Sequence, residues 1–367
     1  MATNIPKPVM TAIGLMSGTS LDGIDVARIR TDGVDFVEKG EGATYPYPDE
    51  IRNELIALLG KPEQVLSSPL DELEKAVTDA QIQAIRFFLS DFQIAPQQID
   101  IIGFHGQTVL HRPEQKFTRQ LGLGQHMASR TGIPVVSQFR LADVAAGGEG
   151  APLAPIYHKA LASRFSDPLV ILNLGGVANI TYIDQTHMLA FDTGPASALI
   201  DDYMRNYFNR PFDEDGQIAS SGKADTASVQ EFLNDPYFSR KPPKSLDRNA
   251  FHRWNRLIQH LPPEDAIATL TAYTVESIAV SCNYMPDQAK FWFVGGGGRK
   301  NRFMLKKLES RLQVPVQPVE EMGWDGDFLE AQAFAYLAVR HIGGLPLTFP
   351  QTTGIAAPLC GGIFSNP

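Results

Sequence analysis

The stretch MTAIGLMSGTSLDGIDVARIRTDGVDFVEKGEGATY, Met10–Tyr45, decides the fold. Three alternating apolar runs follow one another in it, broken by SGTSLDG and then by Asp32-Gly33. Asp-Gly between alternating runs marks a hairpin, because Gly takes the left-handed turn conformation without steric cost. The spacing predicts three consecutive strands within residues 10–47. About 160 residues on, the pattern returns as PLVILNLGG, VANITYID and HMLAFDTGPAS, the last running into a helix. Identity between the halves is low, so pattern alone leaves duplication of one structural unit open.

Working outward, residues 49–60 and 71–92 read as helices; in the second, Leu73, Val77, Ala80 and Ala84 recur at helical spacing. Short strands are expected at 99–106 and 133–139, and a helix within 150–163, opened by prolines. A third glycine cluster, FWFVGGGGRKN (291–301), follows a strand and precedes the helix RFMLKKLESRL. A last helix is expected near 327–342, and the tail PQTTGIAAPLCGG reads as loop.

The chain has 367 residues, 43% of them hydrophobic, enough for about two domains. A net charge of -9 argues against a nucleic-acid groove. No apolar run reaches the ~18 residues of a membrane span, and no secretory leader is apparent. Two cysteines, Cys282 and Cys360, are too few for a disulfide framework. A cytoplasmic protein is expected.

The glycine turns invite phosphate, because successive backbone N–H groups in such turns form anion sites. None matches the P-loop or the dinucleotide fingerprint. In the first turn, Gly18 permits an unusual backbone angle, Thr19 and Ser20 offer hydroxyls, and Asp22 offers an oxygen ligand for magnesium, directly or through water. An ordinary hairpin turn accounts for the same residues. Asp192 stands at a strand's C-terminal end, where open α/β sheets place chemistry, or else it caps the helix that follows. His105 ends a buried strand and suits either a structural hydrogen bond or a substrate contact. Arg140 and Asp143 read as an anion clamp beside a glycine turn, or as a surface salt bridge. No zinc spacing occurs.

Six segments together are diagnostic: IGLMSGTSLDGIDVA (13–27), GFHGQTVLHRP (103–113), FRLADVAAGGEGAPLAP (139–155), ILNLGGVANI (171–180), FDTGPAS (191–197) and VGGGGRKN (294–301). In this order they closely resemble the anhydro-N-acetylmuramic acid kinase family, over nearly the whole chain. The resemblance implies an α/β fold of two ribonuclease H-like, actin/hexokinase-type βββαβαβα domains with ATP in the cleft between them. One domain would comprise residues 1–140 plus about 343–367, the other 141–342. Gly18, Thr19, Ser20, Leu21, Asp22, Gly23, Ile24 and Asp25 then correspond to the first phosphate loop, with Gly175 and Gly176 in the second. Gly295, Gly296, Gly297, Gly298 and Asn301 resemble the adenosine-contacting loop. His105, Arg140, Asp143 and Gly148 fall on the substrate side, and Asp192 matches the catalytic aspartate. The implied partners are ATP, magnesium, a small amino sugar and a second copy of the chain; nucleic acid and membrane are not expected.

Two departures stand out. The family pattern leads one to expect Asn where this chain has Ser197, and a KSTGRE-type segment where it has KSLDRNAF (244–251). The implied reaction opens a 1,6-anhydro bridge and phosphorylates O6, giving N-acetylmuramic acid 6-phosphate and ADP in cell-wall recycling. O6 is an ether oxygen with no proton to lose, so the proton must come from the water that attacks C1. Rival readings are a kinase of an ordinary sugar hydroxyl, a partner-binding ATPase, and a glycosidase, which would need a paired acid and base and no ATP site.

Overall fold

The computed structural model describes residues 7–18, 20–59, 61–67, 69–247 and 251–367. They form two compact units, one of the residues up to Ser163 with Phe328–Pro367, the other Arg164–Asp327. In the first unit lie β1 (Met10–Met16), β2 (Ile24–Thr31), β3 (Val37–Tyr45), β4 (Ile101–Phe104), β5 (Gln107–Arg112), β6 (Phe117–Leu121) and β7 (Val135–Ser137). The second holds β8 (Leu169–Leu174), β9 (Val177–Ile183), β10 (Met188–Pro195), β11 (Phe291–Gly295) and β12 (Val316–Pro318); β13 (Ile363–Ser365) returns to the first.

The two main sheets share one order. The first runs β13-β7-β4-β1-β2-β3 and the second β10-β9-β8-β11-β12. In each, three strands in sequence pair antiparallel and two later strands add in parallel on the other side of the first. The duplication that the sequence left open is therefore real at the level of topology. The expected strands and helices are present, with helices at Asp49–Leu59, Asp71–Asp91, Arg302–Leu312 and Leu329–Ile342. Within 150–163 the helix is shorter, Pro155–Leu161, and the tail is not all loop, since β13 pairs with β7.

Helix Leu329–Ile342 corrects the expected domain division. It packs on β1, β2 and β4 of the first unit. Glycines make this possible: a Cβ on Gly14 would stand 1.8 Å from the Ala331 carbonyl oxygen, and one on Gly103 2.0 Å from that of Phe334. Bare backbone on the sheet and Ala331 and Ala335 on the helix allow this close approach. The second unit is built around helix Pro263–Ser281, buried on nearly every side. Its Tyr273 stacks on Phe232, ring centroids 4.1 Å apart.

Candidate active site

Asp192 lies on β10 where the register with β9 shifts between Asp192 and Gly194. The bulge turns the strand end, which is how sheets re-aim a side chain. The residue is 7% exposed. Its carboxylate does not cap helix Ser197–Phe208, whose start has no side-chain cap. Instead Oδ2 accepts the Leu246 N–H at 2.8 Å. Its backbone is held as well: the Asp192 N–H donates to the Lys244 carbonyl at 3.0 Å, and the Tyr237 hydroxyl donates to the Asp192 carbonyl at 2.5 Å. The departing segment 244–251 is thus what positions this aspartate, as far as it is described; Arg248, Asn249 and Ala250 lie outside the described residues.

The second glycine turn, Gly175–Gly176, joins β8 to β9. The Gly175 carbonyl accepts both the backbone N–H and the hydroxyl of Ser197, at 2.9 and 2.8 Å, and Gly176 accepts the Ala196 N–H at 3.1 Å. Ser197, the other departure, therefore ties the start of its helix to this turn. In the third cluster Gly296 has φ +73°, and a Cβ there would meet Asn173 Oδ1 at 2.4 Å. Gly298 packs on Leu174, whereas a Cβ on Gly297 would meet nothing. Asn301 caps the next helix, accepting the Met304 N–H at 2.9 Å. Arg299, not singled out from sequence, is 6% exposed and braces the cluster through Glu320 at 2.7 Å and the Gly296 carbonyl at 3.0 Å.

In the first unit Thr19 lies outside the described residues. The unusual backbone angle expected of Gly18 falls at Leu21 instead, with φ 57°. Leu21 is buried, its N–H bonded to the Gly18 carbonyl at 3.2 Å and its own carbonyl to Arg52 Nε at 3.0 Å. Ser20 and Asp22 are exposed, and Gly23 and Ile24 are buried. Gly23 is needed for packing: a Cβ would come 2.5 Å from Thr44 Cγ2. Asp25 accepts the Thr44 hydroxyl at 2.6 Å. Among the described residues no cluster of three His, Cys, Asp or Glu is placed to hold a metal. A magnesium ion that keeps its waters and bridges phosphates needs only one or two carboxylates, so exposed Asp22 fits it.

His105, Arg140, Asp143 and Gly148 come together. Arg140 Nη2 lies 3.1 Å from His105 Nε2, and Nη1 donates to the Gly150 carbonyl at 2.7 Å. His105 Nδ1 meets the Gly106 carbonyl at 2.9 Å. Burial first, and the guanidinium second, hold His105 well below the usual histidine range, so its imidazole is neutral. The alternative of a surface pair between Arg140 and Asp143 is excluded. Asp143 is 1% exposed, and its oxygens take the Gly150 N–H at 2.7 Å and the Thr353 hydroxyl at 2.6 Å. A Cβ on Gly148 would strike Asp143 Oδ1 at 2.2 Å. Glu330 was not legible in sequence, where it looks like any acid in a first helical turn. It stands at the exposed start of its helix, near Arg140 and Asp25.

Two α/β units of one strand order, with glycine turns after the first and fourth strands of the second, give the two-unit α/β architecture expected of an actin/hexokinase-type kinase. The particular family follows from comparison: the model of the anhydro-N-acetylmuramic acid kinase family matches residues 10–366. The relative from Paramagnetospirillum magneticum, an anhydro-N-acetylmuramic acid kinase, is 49% identical over 96% of this chain and 99% of its own. That from Methylobacterium nodulans, of the same name, is 50% identical over 98% and 100%. The chain belongs to this family and is an enzyme, a kinase of anhydro-N-acetylmuramic acid. Among solved structures, a ROK family glucokinase from Streptomyces griseus in complex with glucose and AMPPNP aligns over 89% of this chain and 99% of that one, with 14% identity and TM-score 0.40. No helix among the described residues is long and apolar enough to cross a membrane.

Proposed function

We propose that Asp192 is the general base of a single concerted step. Water attacks C1 of 1,6-anhydro-N-acetylmuramic acid and gives its proton to the Asp192 carboxylate. The C1–O6 bond breaks, O6 bonds to the γ-phosphorus of ATP, and the bond from that phosphorus to the β-phosphate oxygen breaks to release ADP. In its ionised form this carboxylate is a general base able to take the proton. The observation that carries the assignment is the carboxylate's place at a bulged strand end, held by Leu246 rather than spent on a helix cap.

The remaining roles are positioning and charge neutralisation, which phosphoryl transfer mainly demands. The first loop, Gly18 to Asp25, and the turn at Gly175–Gly176 receive the phosphates. The cluster Gly295–Gly298 receives the adenosine, with Asn301 shaping it through its cap. Magnesium, held by Asp22 directly or through water, would neutralise phosphate charge. Arg140, oriented by neutral His105, clamps the lactyl carboxylate, and Asp143 with Gly148 shapes the turn beneath it. The family resemblance also supports a cytoplasmic homodimer working in peptidoglycan recycling.

The test is ADP release with magnesium-ATP, with and without the anhydro sugar, in oxygen-18 water. Sugar-dependent release with label at C1 of a 6-phosphorylated product is expected, along with a loss of about 10²–10⁴-fold in kcat for Asp192→Asn. Turnover without label at C1 would discard ring opening by water, and a fully active Asp192→Asn enzyme would discard the base.

A further inference from the structure

Lys244 is 2% exposed. Its ammonium donates to the Tyr237 carbonyl at 2.9 Å and has no carboxylate partner among the described residues. Three aromatic rings surround it: the centroid of Tyr237 lies 4.3 Å away, that of Tyr284 5.0 Å and that of Phe191 5.7 Å. Ring faces attract a cation, but they do not repay the whole cost of removing it from water. A methionine would fill the same box without that cost. The walls of the box show what the charge is for. Phe191 directly precedes Asp192 in the chain. Tyr237 holds the Asp192 carbonyl with its hydroxyl. The Lys244 carbonyl accepts the Asp192 N–H, and two residues on, Leu246 donates to the Asp192 carboxylate.

We propose that Lys244 is a positioning residue for Asp192: its ammonium draws Phe191, Tyr237 and segment 244–246 onto one centre and so fixes the direction of the carboxylate. The proposal rests on the reading of Asp192 as the base. It carries a pH signature. Burial, with the charge of Arg240 second, lowers Lys244 to about 8. Among the described residues the titratable groups facing it are Tyr237, Tyr284 and Arg240. Above that pH the proton leaves, the attraction to the rings goes with it, and kcat falls.

The experiment compares the full-length wild type with Lys244→Met, Lys244→Arg, Asp192→Asn and the Lys244→Met/Asp192→Asn double variant, measuring kcat and both KM values from pH 6 to 10. Lys244→Met is expected to melt within a few degrees of the wild type and to lose roughly 10–100-fold in kcat, the cost of a small misplacement of a reacting group. Both KM values should stay within about threefold and the alkaline limb should vanish; Lys244→Arg should recover part of kcat. The double variant should be no slower than Asp192→Asn alone, because the lysine acts only through the aspartate. A normal kcat in Lys244→Met beside an inactive Asp192→Asn enzyme overturns the proposal alone; an active Asp192→Asn enzyme overturns the base assignment and the proposal with it. Should Lys244→Met not fold, the wild-type profile decides: the absence of an alkaline fall in kcat near pH 8 overturns the role.

Discussion

Replacing Asp143 by alanine tests how the turn at Gly147–Gly150 is held. The carboxylate takes two donors, the Gly150 N–H at 2.7 Å and the Thr353 hydroxyl at 2.6 Å. Hydrogen bonds to a charged acceptor contribute about 1.5–3 kcal/mol each, and a buried donor left unpaired costs a similar amount. The Thr353 hydroxyl has a fallback in the Phe349 carbonyl at 3.5 Å, so its loss counts near the lower end. The Gly150 N–H is left with none. The sum is about 3–5 kcal/mol, which for a unit of roughly 200 residues lowers Tm by about 10 °C. The same turn supplies the Gly150 carbonyl that orients Arg140. Sugar KM should therefore rise more than ATP KM. Asp143→Asn keeps one acceptor oxygen and should lose about half the stability. Thermal denaturation followed by circular dichroism, with steady-state kinetics for both substrates, gives the answer. A Tm within 2 °C of the wild type together with an unchanged sugar KM would refute the reasoning.

Further outcomes are expected. Gly103→Ala forces a methyl to 2.0 Å from the Phe334 carbonyl oxygen, and overpacking of this kind costs about 1–3 kcal/mol or more, so soluble yield and Tm should both fall. His105, His111 and His158 all lie in the first unit with lowered pKa values, that of His111 to about 4 and that of His158 to about 3, mainly through burial. Unfolding frees them to bind protons near pH 6.5, so their stabilisation is present above that pH and is lost as pH falls below it. At pH 5.5 each removes about 1.4 kcal/mol, a drop visible as an earlier melt than at pH 7.5. Asn301→Ala deletes a helix cap worth about 1 kcal/mol, and calorimetry should show that loss, with ATP KM rising if the cap shapes the adenosine loop.

Much of the fold was legible because two signals are local. Period-two alternation with Asp-Gly turns marks β1 to β3, and alternation with a Gly-Gly turn marks their counterparts β8 to β10, without reference to anything distant. Helix Pro263–Ser281 went unread for the opposite reason: buried on nearly every side, it has no polar stripe to set a period. Hairpin β5–β6 was missed because its register shifts between Thr108 and Leu110 and Pro113 interrupts its turn region. At the candidate site, residue types were readable but their partners were not. The alternatives for Asp192 differ only in which N–H its carboxylate meets, and that N–H belongs to Leu246, 54 positions away. Asp143 likewise depends on Thr353, 210 positions along the chain.

The docking of helix Leu329–Ile342 on Gly14 and Gly103 also sets an order of assembly. The chain leaves the ribosome N-terminus first, so β1 to β4 emerge long before the helix that covers them. Arg164–Asp327 is continuous and can close its own core during synthesis. The first unit must wait, one face of its sheet bare, until Leu329–Ile342 is made. Ribosome-bound chains in which Asp327 is followed by a spacer long enough to clear the exit tunnel should show protease resistance in the later-made unit and sensitivity in the earlier-made one, an inversion of the usual N-terminal-first sequence.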